Sequence, residues 1–128
     1  MEYGYNKVVK TKFEETEKRL HETLMEQGFG VITEIDVRNT FKQKLDLDFK
    51  KYKILGACQP QIAHKLLSLD NQIGLLLPCN LAVWENEDNS TTVTAIDPSA
   101  QLSLAGRDEL TEHTKEIYEK IKTAVDDL

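Results

Sequence analysis

Residues 73–96 read IGLLLPCNLAVWENEDNSTTVTAI, and this stretch decides between two architectures. Ile73 to Glu85 is predicted to be a strand interrupted at Pro78, where the missing N–H calls for a bulge or an edge position. Asn86 to Ser90 is a polar turn. Thr91 to Ile96 is rich in β-branched residues, so the two strands close a hairpin that Asp97-Pro98 ends. Helices lying between strands elsewhere in the chain are compatible with a parallel sheet. The hairpin and the alternating strands instead predict an α+β fold with a curved, mainly antiparallel sheet and helices on one face. Trp84 and Ile96 are expected to fill the core.

Upstream, Tyr52 to Cys58 is predicted as a strand with Tyr52, Ile54, Gly56 and Cys58 on one face and Leu55 and Ala57 on the other. Apolar residues on both faces place it inside the sheet. Pro60 suits a first helical position, and Ile62, Ala63, Leu66 and Leu67 make a short amphipathic helix that Asp70-Asn71 ends. Phe29 to Val37 alternates with period two, Val31, Thr33 and Ile35 on one face and Ile32, Glu34 and Asp36 on the other. A short helix over Asn39–Leu45 follows it. Tyr3 to Lys10 reads as the first strand. Thr11 and Glu14 have capping-box spacing, and Phe13, Leu20 and Leu24 predict a helix from Lys12 to Gln27 that Gly28 ends. A long helix from Arg107 or Asp108 carries Leu110, Thr114, Ile117 and Ile121, with Glu116 and Lys120 paired on its surface.

The chain has 128 residues, which is one domain's worth, so a single domain over 1–128 is expected. Lys plus Arg number 16 against 22 Asp plus Glu, a formal charge of −6. Nucleic-acid binding and an anionic membrane surface are disfavoured by that balance. The one lysine run, Lys42 to Lys53, has acids inside it and reads as a solvated face. Two cysteines are too few for a secreted disulfide scaffold, and the opening residues lack the basic and apolar regions of a signal peptide. No stretch approaches the ~18 apolar residues of a membrane span. A cytoplasmic protein with reduced thiols is therefore expected.

Three groups of residues invite chemical readings. Cys58 ends a strand just before a helix, where backbone N–H groups and the helix dipole favour a thiolate; it also reads as a small apolar core residue. His64 lies roughly one turn into that helix, and Cys79 follows Pro78. Were Cys58, His64 and Cys79 to converge, they would suit a zinc ion with one open position or a redox thiol pair, although no C-x-x-C or H-E-x-x-H spacing is present. Glu34, Asp36 and Asp97 offer carboxylates for acid–base work, with a hydrolase pair of Glu34 and Asp97 as one version. They equally suit a solvated sheet face or a helix cap. His21 and His113 lie on helix surfaces among glutamates, and no phosphate loop or nucleophile elbow is present.

Phe29–Val37 (FGVITEIDV), Tyr52–Cys58 with Pro60 and Ala63-His64, Ile73–Asn80 (IGLLLPCN) and Ala95–Pro98 (AIDP) together resemble the domain-of-unknown-function family numbered 302, mostly small bacterial and archaeal proteins. The resemblance covers nearly the whole chain, with Gln59 standing where the family often has Asn. It implies a fold similar to the TATA-binding-protein-like α+β class and a homodimer, and it carries no established activity, substrate or cofactor. The positions it marks are Glu34, Asp36, Cys58, His64, Cys79 and Asp97, without roles. The expectation is thus a dimeric small-molecule or protein-binding module with no recognisable catalytic site and no cofactor. The alternative is a thiol-redox or zinc-binding protein using Cys58, Cys79 and His64.

Overall fold

Alternation along the strand Tyr52–Cys58 sorts the molecule into a dry side and a bare side. The computed structural model describes residues 2–128. Its strands are β1 (Gly4–Val9), β2 (Gly30–Asp36), β3 (Tyr52–Cys58), β4 (Cys79–Glu85) and β5 (Thr91–Ile96). They form one antiparallel sheet in the order β1-β5-β4-β3-β2. β3 is an interior strand, as its two-sided apolarity requires. Across β3 and β4, Leu55 faces Leu81 and Ala57 faces Cys79 on the dry side, while Tyr52 faces Trp84 and Ile54 faces Ala82 on the bare side.

The helices are α1 (Phe13–Glu26), α2 (Val37–Leu45), α3 (Pro60–Leu69), α4 (Pro98–Leu102) and α5 (Thr111–Asp126). α1 buries Phe13, Thr16, Leu20, Thr23 and Leu24, a stripe at three- and four-residue spacing. Leu66 of α3, Leu102 of α4 and Ile117, Ile121 and Val125 of α5 join it over Leu55, Leu81, Val83 and Val93. Each such side chain contributes about 1.5–3 kcal/mol by leaving water. α1 ends at Gly28, whose φ of +85° is the left-handed conformation that suits glycine. α2 buries no residue and is held at its start by Asp36, whose side chain accepts a hydrogen bond from the Asn39 N–H.

Several expectations are corrected. Residues Asn71–Leu76 form a 3₁₀ turn, and the fourth strand begins only at Cys79. Asp70 accepts a hydrogen bond from the Gln72 N–H at 2.9 Å, and the turn drives Ile73 into the core. Pro78 precedes the strand, so no bulge forms there. The sheet's bulge lies in β2 instead, between Val31 and Thr33. It turns Glu34 and Asp36 to the helix side, opposite Leu55 and Lys53, and leaves Thr33 and Ile35 on the bare side. Thr11 and Glu14 build no capping box. Thr11 meets the Thr16 hydroxyl at 2.6 Å, and Lys12 occupies the N-cap position without a side-chain bond. Trp84 is half-buried on the bare side and does not join the core, whereas Ile96, also half-buried, packs against the core's margin without being enclosed by it. α4 follows Asp97 directly, and α5 starts at Thr111, after a short 3₁₀ turn over Asp108–Leu110.

Gly56 sits where β2, β3 and Pro78 crowd together. A Cβ there meets the Thr33 hydroxyl and lies 2.6 Å from Pro78 Cγ. Gly30 has nothing within 4 Å of the corresponding position. Gly56→Ala is therefore expected to lower the unfolding free energy by about 1–3 kcal/mol, as overpacking does. Gly30→Ala should change it by less than about 0.5 kcal/mol. Urea denaturation of both variants checks the contrast.

Candidate functional site

Two sulfurs mark one end of the sheet. β3 finishes at Cys58 and the antiparallel β4 starts at Cys79, with Ala57 directly opposite Cys79. Both cysteines line a cavity of about 260 Å³ between the sheet end, α3 and α5. Phe29, Ile62, Leu66 and Ile117 supply its apolar wall, and Pro78 closes one side. The amide of Gln59 is the only hydrogen-bonding side chain in the lining apart from the thiols, and its Oε1 is buried with no hydrogen-bond partner.

Burial pushes the Cys58 thiol pKa up from its ordinary value. Cys79 rises further, to about 11, through burial first and the neighbouring Cys58 second. The thiolate expected at the start of α3 does not form. Gln59 is the N-cap and Pro60 the first helical residue, so no N–H is available at that position, and desolvation outweighs the dipole. At neutral pH both free cysteines are protonated, polarizable, nearly apolar groups.

The other marked residues lie apart from this cavity. His64 is exposed on α3, outside the cavity lining, so the expected zinc triad does not assemble. Among the described residues, the one group of three whose ligand atoms all lie within 4.8 Å is Glu17, His21 and Glu34. Lys53 already occupies that group, 2.6 Å from Glu34 and 2.9 Å from Glu17. Burial alone lowers the Lys53 pKa, but its hydrogen bonds to Glu34 and Glu17 outweigh this and raise it, so the ammonium stays charged. Asp36 caps α2. Asp97 caps α4, its Oδ1 accepting from the Ser99 N–H at 2.9 Å and the Ser99 hydroxyl at 2.6 Å. β2 and β5 are separated by β3 and β4, which puts Glu34 and Asp97 at least about 14 Å apart at three strand spacings. The hydrolase pair is thereby overturned.

Sequence reasoning missed Gln59 and the α5 contribution of Ile117, for which no local pattern exists. The Glu17–His21 spacing of four residues was visible, but only the β2 bulge brings Glu34 to it.

A second hollow, about 540 Å³, lies on the bare side of the sheet between β1 and the Tyr52–Trp84 pair. Those two rings stack with centroids 5.6 Å apart and planes 5° from parallel. Among the described residues no helix is long and apolar enough to cross a membrane.

Comparison with known proteins gives one family and one fold. The family described as "Domain of unknown function DUF302" matches residues 5–128. The crystal structure of an uncharacterized conserved protein DUF302 from Bacillus stearothermophilus is similar at 29% identity, with a TM-score of 0.89 and 98% of each chain covered. A comparison with curated proteins finds no match.

The protonated thiols make two expectations. Near neutral pH, iodoacetamide should modify both cysteines far more slowly than free cysteine, and half-buried Cys58 before buried Cys79, as read by mass spectrometry of the folded chain. The unfolded chain loses the Cys79 proton near the ordinary value of about 9, whereas the folded chain keeps it up to about 11. Stability contributed by this group is therefore whole below pH 9 and falls as pH rises toward 11. Cys79→Ala should flatten that part of the denaturation profile.

Proposed function

We propose that this chain, which belongs to the DUF302 family, is a non-catalytic binding module that holds a small apolar molecule in the cavity between Cys58, Cys79 and α3. The observation that carries the reading is the chemistry of the lining: aliphatic and aromatic walls, two protonated sulfurs, and one unpartnered amide oxygen at Gln59. An engineered apolar cavity of ~150 Å³ suffices for benzene, and ordinary ligand pockets begin near ~300 Å³. A cavity of about 260 Å³ thus suits a compact one- or two-ring molecule or a short aliphatic chain. Gln59 Oε1 would accept a hydrogen bond from a single hydroxyl or N–H on that molecule.

Binding, not chemistry, is the reading because neither thiol is a nucleophile at neutral pH and His64 lies outside the cavity to activate one. The reading places the chain in the cytoplasm, where both thiols stay reduced. It also includes the pairing of two copies that the family resemblance implies.

Thermal unfolding against a panel of phenols, indoles and medium-chain alcohols tests it. A true ligand at one hundred times its dissociation constant should add about 2.7 kcal/mol of stability. Ala63→Phe, which fills the cavity, should abolish the shift without unfolding the protein. A panel that leaves the wild-type transition unmoved, or an equal shift in Ala63→Phe, would count against the cavity.

A further inference from the structure

The bulge in β2 leaves one residue without a partner on β3. Gly30 faces Cys58, Val31 faces Ala57 and Thr33 faces Gly56, so Ile32 is the inserted residue. A bulge bends its strand and re-aims the side chain it frees. Ile32 is 61% exposed, yet it lines the cavity that holds Cys58 and Cys79. Of the described residues around that cavity, Ile32, Leu67 and Gly74 are exposed and the others are buried or half-buried. A residue that both lines a cavity and meets water stands at its opening. Ile32 reaches the opening from β2 and Leu67 from α3. Gly74 brings no side chain to it, and a Cβ there would lie 3.7 Å from Leu67 Cδ2.

We propose that Ile32 and Leu67 form an apolar gate to this cavity, which passes compact uncharged molecules and turns ions away. The inference rests on the binding reading above and assigns the residues that decide which molecules reach the site. Among the described residues the lining carries no charged side chain. An ion passing the gate would therefore give up its hydration and gain no partner, whereas a neutral molecule loses little. Gln59 Oε1, the unpartnered amide oxygen inside, offers a single hydrogen bond and no counter-charge. The gate also has freedom to move. Val31 and Thr33 on either side are held in register with β3. Ile32 is exposed, so its side chain changes rotamer while the ladder stays paired. Entry then needs one side chain to swing and leaves the core closed.

Cys79 is buried within the cavity, so alkylation of its thiol reports entry. In a Cys58→Ser background it is the one thiol of the chain. Iodoacetamide is neutral, iodoacetate an anion and bromoethyltrimethylammonium a cation. Each forms a sulfur–carbon bond as halide leaves and the thiol proton passes to water. Rates on the folded full chain are read by mass spectrometry at one pH and divided by the rate of the same reagent with free cysteine. Ile32→Ala should speed the reaction of Cys79 with iodoacetamide at least about threefold, and Ile32→Trp should slow it as much, as expected for a gating side chain. After the correction, both ions should react at least about tenfold more slowly than the amide, because each must shed its hydration. Ile35→Ala, half-exposed on the same strand but outside the lining, should leave the rate unchanged. Equal rates in Ile32→Ala and Ile32→Trp, an equal gain in Ile35→Ala, or an ion that keeps pace with the amide overturns the gate. A rate that climbs from the first addition of urea overturns it too, since Cys79 is then reached by unfolding. A chain that binds no member of the ligand panel while the Cys79 rates keep the expected order overturns the binding reading alone.

Discussion

Leu55 of β3 faces Leu81 of β4, and neither is touched by water. From that pair a dry layer spreads to Val83 and Val93 and up into α1, α3 and α5. Its position dictates where charge can go. Lys53 lies two residues from Leu55 on the same side, at the margin of the layer, and survives there only between Glu17 and Glu34. Lys7 solves the same problem by reaching the carbonyls at the end of α5. These groups look like a candidate metal or acid–base centre when taken as residue types. Their geometry shows them closing the edge of a core.

The cavity at the sheet end is a product of the same layer. α3 covers Ala57 and Cys79 but leaves room beside Cys58, and the 3₁₀ turn that buries Ile73 supplies the floor at Leu77 and Pro78. Desolvation there acts twice. It makes the hollow attractive to an apolar guest, and it holds both thiols protonated, removing the nucleophile that a cysteine before a helix would otherwise provide. The chemistry available at this site is therefore shape and apolarity with one amide acceptor.

Much of the candidate site was legible in the residues. A strand ending at Cys58 and a hairpin strand running through Cys79 are neighbours in an antiparallel sheet with that order, which brings the two cysteines to one end of it; alternation alone sets them on opposite faces, and the packed structure opens both onto one hollow. His64 does not join them, because its place on α3 turns it outward to water while Ile62 and Leu66 take the buried stripe. Glu34 and Asp36 moved sides through a single inserted residue in β2, a change that simple alternation cannot register. The run Ile73–Leu77 misled for a related reason: a short apolar run reads alike as a strand or as a turn tucked into the core.

The amino-acid sequence by itself determined the antiparallel hairpin, the bounds of β3, the stripe of α1 and the end of that helix at Gly28. Each follows from side-chain period, a turn, or a backbone conformation that only local residues control. Tertiary structure alone decided which face of the sheet is dry, where the bulge falls, and that Lys53 fills the one cluster of metal-ligating groups among the described residues. Those outcomes depend on residues distant in the chain competing for the same dry layer, and burial is a property of the packed whole that no local pattern contains.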